Sequence, residues 1–208
     1  YAADEELKCG SYQGAYNNYQ SFISKSLNEE LLKHAKENLL KCSFAIQATQ
    51  NLVNLVPINM GEQINSLYDE YLATLTADEE EIIFTVKRPR DKNTICTFCA
   101  TEEDFYYSKK DSLGNWDKRV SMGAPINSSY NEGAQTISPD GKYLFFTICN
   151  AESGYGSCDL YWSKRIGGRW SRPRNFGAPV NTANWDSQPS ISTDGKTIYF
   201  ISNRPGGF

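Results

Sequence analysis

The stretch GAQTISPDGKYLFFT, Gly133 to Thr147, decides the fold, because the chain writes it three times. It returns as SQPSISTDGKTIYFI at Ser187 to Ile201, and an earlier form, YLATLTADEEEIIFT, runs from Tyr71 to Thr85. Aligned on Asp78, Asp140 and Asp194, each copy follows an Asn by 13 residues: Asn65, Asn127 and Asn181. Each Asn closes a similar leader (MGEQIN, MGAPIN, FGAPVN), and the leaders lie 62 and then 54 residues apart. Between them, EDFYYS at Glu103 to Ser108 answers CDLYWS at Cys158 to Ser163, and a lone Trp follows each, Trp116 and Trp170. Agreement at so many fixed offsets marks a structural repeat.

The centre of the phrase reads as a tight hairpin. In Ser138-Pro139-Asp140-Gly141 the Pro presets φ at the first turn position, Asp suits the second, and Gly141 accepts the left-handed conformation that follows. Thr193-Asp194-Gly195 repeats it. In the first copy Glu79 replaces the Gly, so that turn is expected to be strained by roughly 1 kcal/mol or differently shaped.

Beyond the turn, Ile82 and Phe84, Leu144 and Phe146, and Ile198 and Phe200 point one way along a strand, while Ile83, Phe145 and Tyr199 point the other. Apolar side chains on both faces predict a sheet covered on both faces. Short antiparallel sheets repeated at this spacing and covered on two sides are what a β-propeller requires. Its blades would fall at about 59–120, 121–174 and, incomplete, 175–208. A flat β-sandwich is the competing architecture, and it would show alternating exposed faces. Propellers close with about four to eight blades, so the chain is expected to be part of a longer protein.

Residues 1–51 carry a different period. Tyr12, Ala15, Tyr16, Tyr19, Phe22 and Ile23 form one helical stripe, and Leu32, Ala35, Leu39, Cys42 and Ile46 form another. Gly10 ends a first short helix, and Ser26 with Glu29 reads as the capping box of a third. The expected fold class is therefore α+β and multidomain: helical hairpins over 1–51, then part of an all-β propeller over 52–208.

Net charge −4 and scattered Lys and Arg argue against a nucleic-acid partner. No apolar run approaches the roughly 20 residues of a membrane span. The only histidine, His34, lies beside the apolar stripe of the third helix and is expected to be a partly exposed helix residue rather than a catalytic one. No phosphate-cradling, dinucleotide or zinc-protease motif occurs, so no catalytic residue, cofactor or metal is assigned.

Six cysteines need a reading. Cys96 and Cys99 have the spacing of a zinc knuckle or redox dithiol, but no second close pair and no thioredoxin-like βαβ context accompanies them. In an oxidising compartment both pairs, Cys149–Cys158 and Cys96–Cys99, read as structural disulfides, the first stapling the loop between two strands. Cys9 and Cys42 are expected to be buried free thiols. Three acidic residues, Glu70, Glu132 and Asp186, share one aligned position. They could ring a channel mouth and attract a cation; the favoured reading has each bonding backbone or hydroxyl groups at a blade junction. The acidic run Asp78 to Glu81 is expected to be a solvated turn.

Two resemblances follow from these residues. GSYQGAYNNYQSF, with Gly10, Tyr12, Ala15 and Tyr19 in matching places, resembles the turn and second helix of a tetratricopeptide repeat, whose stacking would call for further helices before Tyr1. ISPDGKYLFFT and PSISTDGKTIYFISNRPGG resemble the PD40 or WD40-like repeats of TolB-type propellers. Their combination resembles Bacteroidetes OmpA-family outer-membrane lipoproteins, including the PorE-type component of type IX secretion. The resemblance implies a periplasmic, outer-membrane-associated, non-enzymatic scaffold with envelope proteins of a secretion or gliding assembly as partners. Peptidoglycan would be reached only through an OmpA-like domain that these residues do not contain. Two alternatives remain open: the gating propeller of a prolyl-oligopeptidase-type hydrolase, and a glycan-binding propeller using Trp162, Trp170 and Trp185.

Overall fold

A computed structural model describes residues 2–51, 56–90 and 100–206. The chain divides into two compact units, Tyr1–Ile58 and Asn59–Phe208.

The first unit holds helices α1 (Ala2–Lys8), α2 (Tyr12–Ile23) and α3 (Glu29–Gln50). Ala3, Ala15, Tyr19, Ala35 and Cys42 form its core, with Leu7, Tyr16, Ile23 and Leu39 packed around it. Gly10 has φ +79°, the left-handed conformation that ends α1. The start of α3 differs from the expected capping box. Its N-cap is Asn28, whose side chain accepts a hydrogen bond from Leu31 N, whereas Ser26 Oγ accepts from Asn28 N, ahead of the helix. Asn caps as well as Ser, so the box pattern pointed two residues upstream of the real start. Cys42 is fully buried, and burial pushes its thiol up. Cys9 is exposed, a correction to the expected pair of buried thiols, because it lies past the last turn of α1. His34 is half exposed and lies 3.1 Å from the amide of Asn38.

The second unit is a series of antiparallel sheets. The first contains β1 (Asp69–Leu75), β2 (Glu81–Pro89), β3 (Thr101–Lys109) and β4 (Val120–Ser121) in the order β1-β2-β3-β4. The second contains β5 (Asn131–Ile137), β6 (Tyr143–Cys149), β7 (Cys158–Ile166) and β8 (Arg169–Trp170), with β9 (Arg174–Asn175) also paired to β7. The third contains β10 (Asp186–Ile191) and β11 (Ile198–Ser202). The first two sheets are meanders and the third is a single hairpin, and the first hairpin of each is one copy of the repeated phrase.

The three hairpins close identically. Ser138 Oγ donates to Asp140 Oδ1 and accepts from Tyr143 N, while Lys142 N donates to Asp140 Oδ1. Ser192, Asp194, Lys196 and Thr197 repeat the set, as do Thr76, Asp78, Glu80 and Glu81. Gly141 and Gly195 have φ +67° and +69°, and Glu79 takes the same left-handed position at +60°. The first turn therefore keeps the common shape and carries the cost of a Cβ there, about 1 kcal/mol.

The sheets stack face to face: β5 packs against β1, β2 and β3, and β10 packs against β5, β6 and β7. Ile83 and Phe105 from the first sheet meet Ile137, Leu144, Phe146, Ile148 and Tyr161 from the second in one core, which the leader residue Ile126 completes. On the other side of the first sheet, Ile82, Phe84 and Val86 pack with Ile64 of the first leader. Apolar residues of β2 are thus buried on both faces, as successive propeller blades require and a sandwich does not. The third sheet is covered on one face by the second. Ile198 and Phe200 face the second sheet and are half-buried, but Tyr199 and Ile201 are 65% and 52% exposed on the far side. No further sheet lies against that side among the described residues.

Candidate functional site

The residues that recur in the sequence converge on the junctions between sheets. Asn127 and Asn181 do one job twice. Phe105 N donates to Asn127 Oδ1 at 3.0 Å, and Asn127 Nδ2 donates to Phe105 O at 3.0 Å. Asn181 treats Leu160 the same way, at 2.8 and 2.9 Å. Phe105 and Leu160 hold equivalent places in β3 and β7, so the amide at the end of the second and third leaders clasps the backbone N–H and C=O of one residue in the sheet before it. A side-chain amide offers one acceptor and two donors, which matches the edge of a strand. Asn65 holds the third equivalent position; its Oδ1 is buried without a hydrogen-bond partner among the described residues.

The aligned acids tie down the residue after each Asn. Ser128 donates to Glu132 through both its amide, at 3.2 Å, and its hydroxyl. Thr182 binds Asp186 through its amide and hydroxyl, at 2.7 and 2.8 Å, and the Ser66 hydroxyl bonds Glu70. The three sites differ in charge balance. Arg204 Nη2 lies 2.7 Å from Asp186, and Arg119 Nη1 lies 3.5 Å from Glu70. Burial pushes Asp186 up, but bonds from Ser202, Arg204 and Thr182 outweigh it and hold the carboxyl below its usual range. Glu132 is fully buried, and desolvation dominates: its pKa is pushed up from 4.5 to about 7 despite the Ser128 bonds.

Other junction groups carried no legible sequence signal. Gln135 reaches from β5 into the first sheet, donating to Ile83 O at 2.8 Å and to Leu72 O, and accepting from Thr85 Oγ1 at 3.2 Å. Thr147, aligned with Thr85, meets Ser187 Oγ at 3.1 Å and accepts from Gln188 N at 3.2 Å. Glu81 corrects the expectation of a solvated acidic turn. Asp78, Glu79 and Glu80 are exposed, but Glu81 is buried and bound in a fork by Arg165 of β7, at 3.0 and 2.6 Å. The Arg165 guanidinium also lies 4.4 Å from the centre of the Trp170 ring. Its planar fork suits both contacts at once.

Cys149 and Cys158 are directly opposite one another on β6 and β7 and form a disulfide. The loop they close packs against the third leader. A Cβ on Gly156 would fall 1.8 Å from Asn184 O, so only glycine fits there. Cys96 and Cys99 lie outside the described residues. No cluster of three or more His, Cys, Asp or Glu side chains able to hold a metal occurs among the described residues, and no helix among them is long and apolar enough to cross a membrane.

The tryptophans sit in packed settings. Lys110 lies over Trp116 at 5.1 Å and Arg174 over Trp162 at 5.5 Å, while Trp185 is half-buried and bridges Cys158. A cleft of about 520 Å³ lies between the turn of the second sheet and that of the third, lined by Tyr143, Phe145, Trp162 and Phe176 together with Asp140 and Asp194.

The junction geometry sets two expectations. Asn127→Ala or Asn181→Ala leaves the N–H of Phe105 or Leu160 unpaired, while the carbonyl keeps its bond from Met122 N or Phe176 N, and should lower unfolding free energy by about 1–3 kcal/mol in urea titrations, whereas Asn65→Ala should cost less than about 1 kcal/mol. For Glu132, the folded carboxyl keeps its proton to about pH 7 while the unfolded one loses it near 4.5. Stability should therefore fall as pH rises through that window, by up to about 3 kcal/mol. Glu132→Gln, neutral throughout, should remove that part of the slope when urea midpoints are compared between the two ends of the window.

No family model matches the chain, and no curated protein matches it. Among solved structures, the crystal structure of TolB from Acinetobacter baumannii is similar over 70% of this chain and 40% of its own length, with 17% sequence identity and a TM-score of 0.34. At that score the fold is read from this chain's own strands.

Proposed function

We propose that the chain is a non-enzymatic protein-interaction scaffold of the periplasm, part of an outer-membrane-associated secretion or gliding assembly. One observation carries the reading: the side chains that repeat spend their polar atoms on neighbouring backbone. Asn127, Asn181, Glu132 and Asp186 each bond peptide groups at a sheet junction. A residue kept for chemistry would aim its polar atoms at a substrate; these fix one sheet to the next. What they produce is a rigid stack with turns displayed along one edge, a platform suited to binding other proteins. The Cys149–Cys158 bridge supports an oxidising compartment. The type IX secretion or gliding role, the lipoprotein anchor and a link to peptidoglycan through an OmpA-like domain rest on the sequence resemblance. A tetratricopeptide-like role for α1–α3 rests on the same ground.

The test is in-cell cross-linking of the tagged chain in a Bacteroidetes host, followed by envelope fractionation and identification of the cross-linked proteins. Outer-membrane fractionation with cross-links to secretion or gliding components is expected. Exclusively cytoplasmic cross-links, or turnover of peptide substrates by the purified chain, would contradict the proposal.

A further inference from the structure

The junction between the first two sheets holds a cleft of about 430 Å³, within the size range of small-ligand sites. The first sheet supplies Tyr107 and Lys109 to it, the leader that follows supplies Met122 and Pro125, and the β7–β8 hairpin supplies Arg169 and Trp170. Tyr107, Met122 and Trp170 are half-buried and pack on the core that the two sheets share, so the apolar walls are fixed in place. All the lining residues belong to these two sheets or to the segments that connect their strands.

The charges of the cleft do not balance. Glu81 is its one carboxylate, against the cations Lys109, Arg165 and Arg169. Arg165 takes up Glu81 through the two bonds of its fork, while its Nε is buried without a hydrogen-bond partner. Lys109 Nζ stands 3.9 Å from Glu81, at the outer limit of an ion pair. Arg169 is exposed, and its side chain makes no hydrogen bond or ion pair among the described residues. With Glu81 committed to Arg165, two cations remain beside apolar walls, on a chain of net charge −4. A neighbouring cleft that shares Glu81 and Arg165 has the opposite bias, with Asp78, Glu80 and Asp140 on its lining beside Lys142. An anion is therefore drawn to the first cleft and repelled from the second.

We propose that this cleft binds a carboxylate carried on a short apolar body, as a free organic acid or as the terminal carboxylate of a polypeptide. Lys109 and Arg169 would hold the carboxylate, for which the planar guanidinium of Arg169 offers two parallel donors. The apolar body would lie against Tyr107, Met122 and Trp170. The Arg165 guanidinium, 4.4 Å from the centre of the Trp170 ring, already covers part of that residue, so Tyr107 and Met122 provide most of the apolar contact. Inorganic phosphate would satisfy the cations but leave those walls wet, and a neutral apolar molecule would leave the cations unpaired. The site goes beyond the scaffold reading and does not rest on it.

The probe is N-acetyl-phenylalanine, titrated into the whole 208-residue chain and followed residue by residue by NMR. Saturable shifts at Tyr107, Met122, Arg169 and Trp170 are expected, with a dissociation constant on the order of a millimolar. The neutral amide of the same molecule should bind about tenfold more weakly, and so should the acid to Lys109→Ala or Arg169→Ala. Both side chains are exposed, so these variants keep the fold. Arg172→Ala removes an exposed cation of the same segment that does not line the cleft, and it should bind the acid as the parent chain does. A tetrapeptide ending in Phe with a free terminus supports the site either way: tighter binding than the single acid identifies a chain terminus as the source, and equal binding a free acid. No saturation at tens of millimolar, equal binding of acid and amide, or unchanged binding by both Lys109→Ala and Arg169→Ala would overturn the proposal.

Discussion

A strand with apolar side chains on both sides leaves its sheet no solvent face, and β2 is such a strand. Ile82, Phe84 and Val86 are buried on one side of it, and Ile83 and Thr85 on the other. No arrangement of the first sheet alone hides both sets from water; a neighbour must supply the second cover. The second sheet does so with Leu144, Phe146 and Ile148, and its own far side then needs a cover in turn. Stacking is thus forced by the chemistry of one strand repeated, and the rest of the unit serves it: leaders whose Ile64 and Ile126 fill the gaps, and hairpins that return the chain to the same place.

Hydrophobic cover alone would let the sheets slide, since it has no direction. The polar junction groups remove that freedom. An Asn clasping the backbone N–H and C=O of one residue, a Gln bonded to Ile83 O and the fork between Arg165 and Glu81 each accept one register only. Such groups are costly when half-satisfied, which gives the packed arrangement its selectivity. The same logic explains the fully buried Glu132: burial pushes its carboxyl up to about 7 against the bonds from Ser128, with no cation within ion-pair distance among the described residues. The scaffold accepts some pH sensitivity there, where Asp186 avoids it through Arg204.

Much of this was legible in the sequence because the repeat fixes offsets. The hairpins, both leader asparagines that find partners, the acidic position and the Cys149–Cys158 pair lie where spacing put them. What escaped did so for physical reasons. The bulge in β1, β5 and β10 places Leu72, Ala134 and Gln188 at φ +51°, +54° and +55°, six residues before each turn Asp, yet no Gly or Asn marks it. Glu81 looks like one more charge in an acidic run because its partner, Arg165, lies 84 residues away. The cap of α3 was misplaced because Ser26 and Asn28 both carry capping chemistry, and the backbone geometry selects between them.

The central claim, that the repeated phrases fold into sheets held face to face, is tested most directly by a double-mutant cycle between Glu81 on the first sheet and Arg165 on the second. Unfolding free energies are measured for the parent chain, Glu81→Ala, Arg165→Ala and the double variant. Face-to-face stacking predicts a coupling above about 1.5 kcal/mol, because each single variant strands a charge that the double variant removes. Additivity within about 0.5 kcal/mol would mean that the two sheets do not meet there, and would contradict the account.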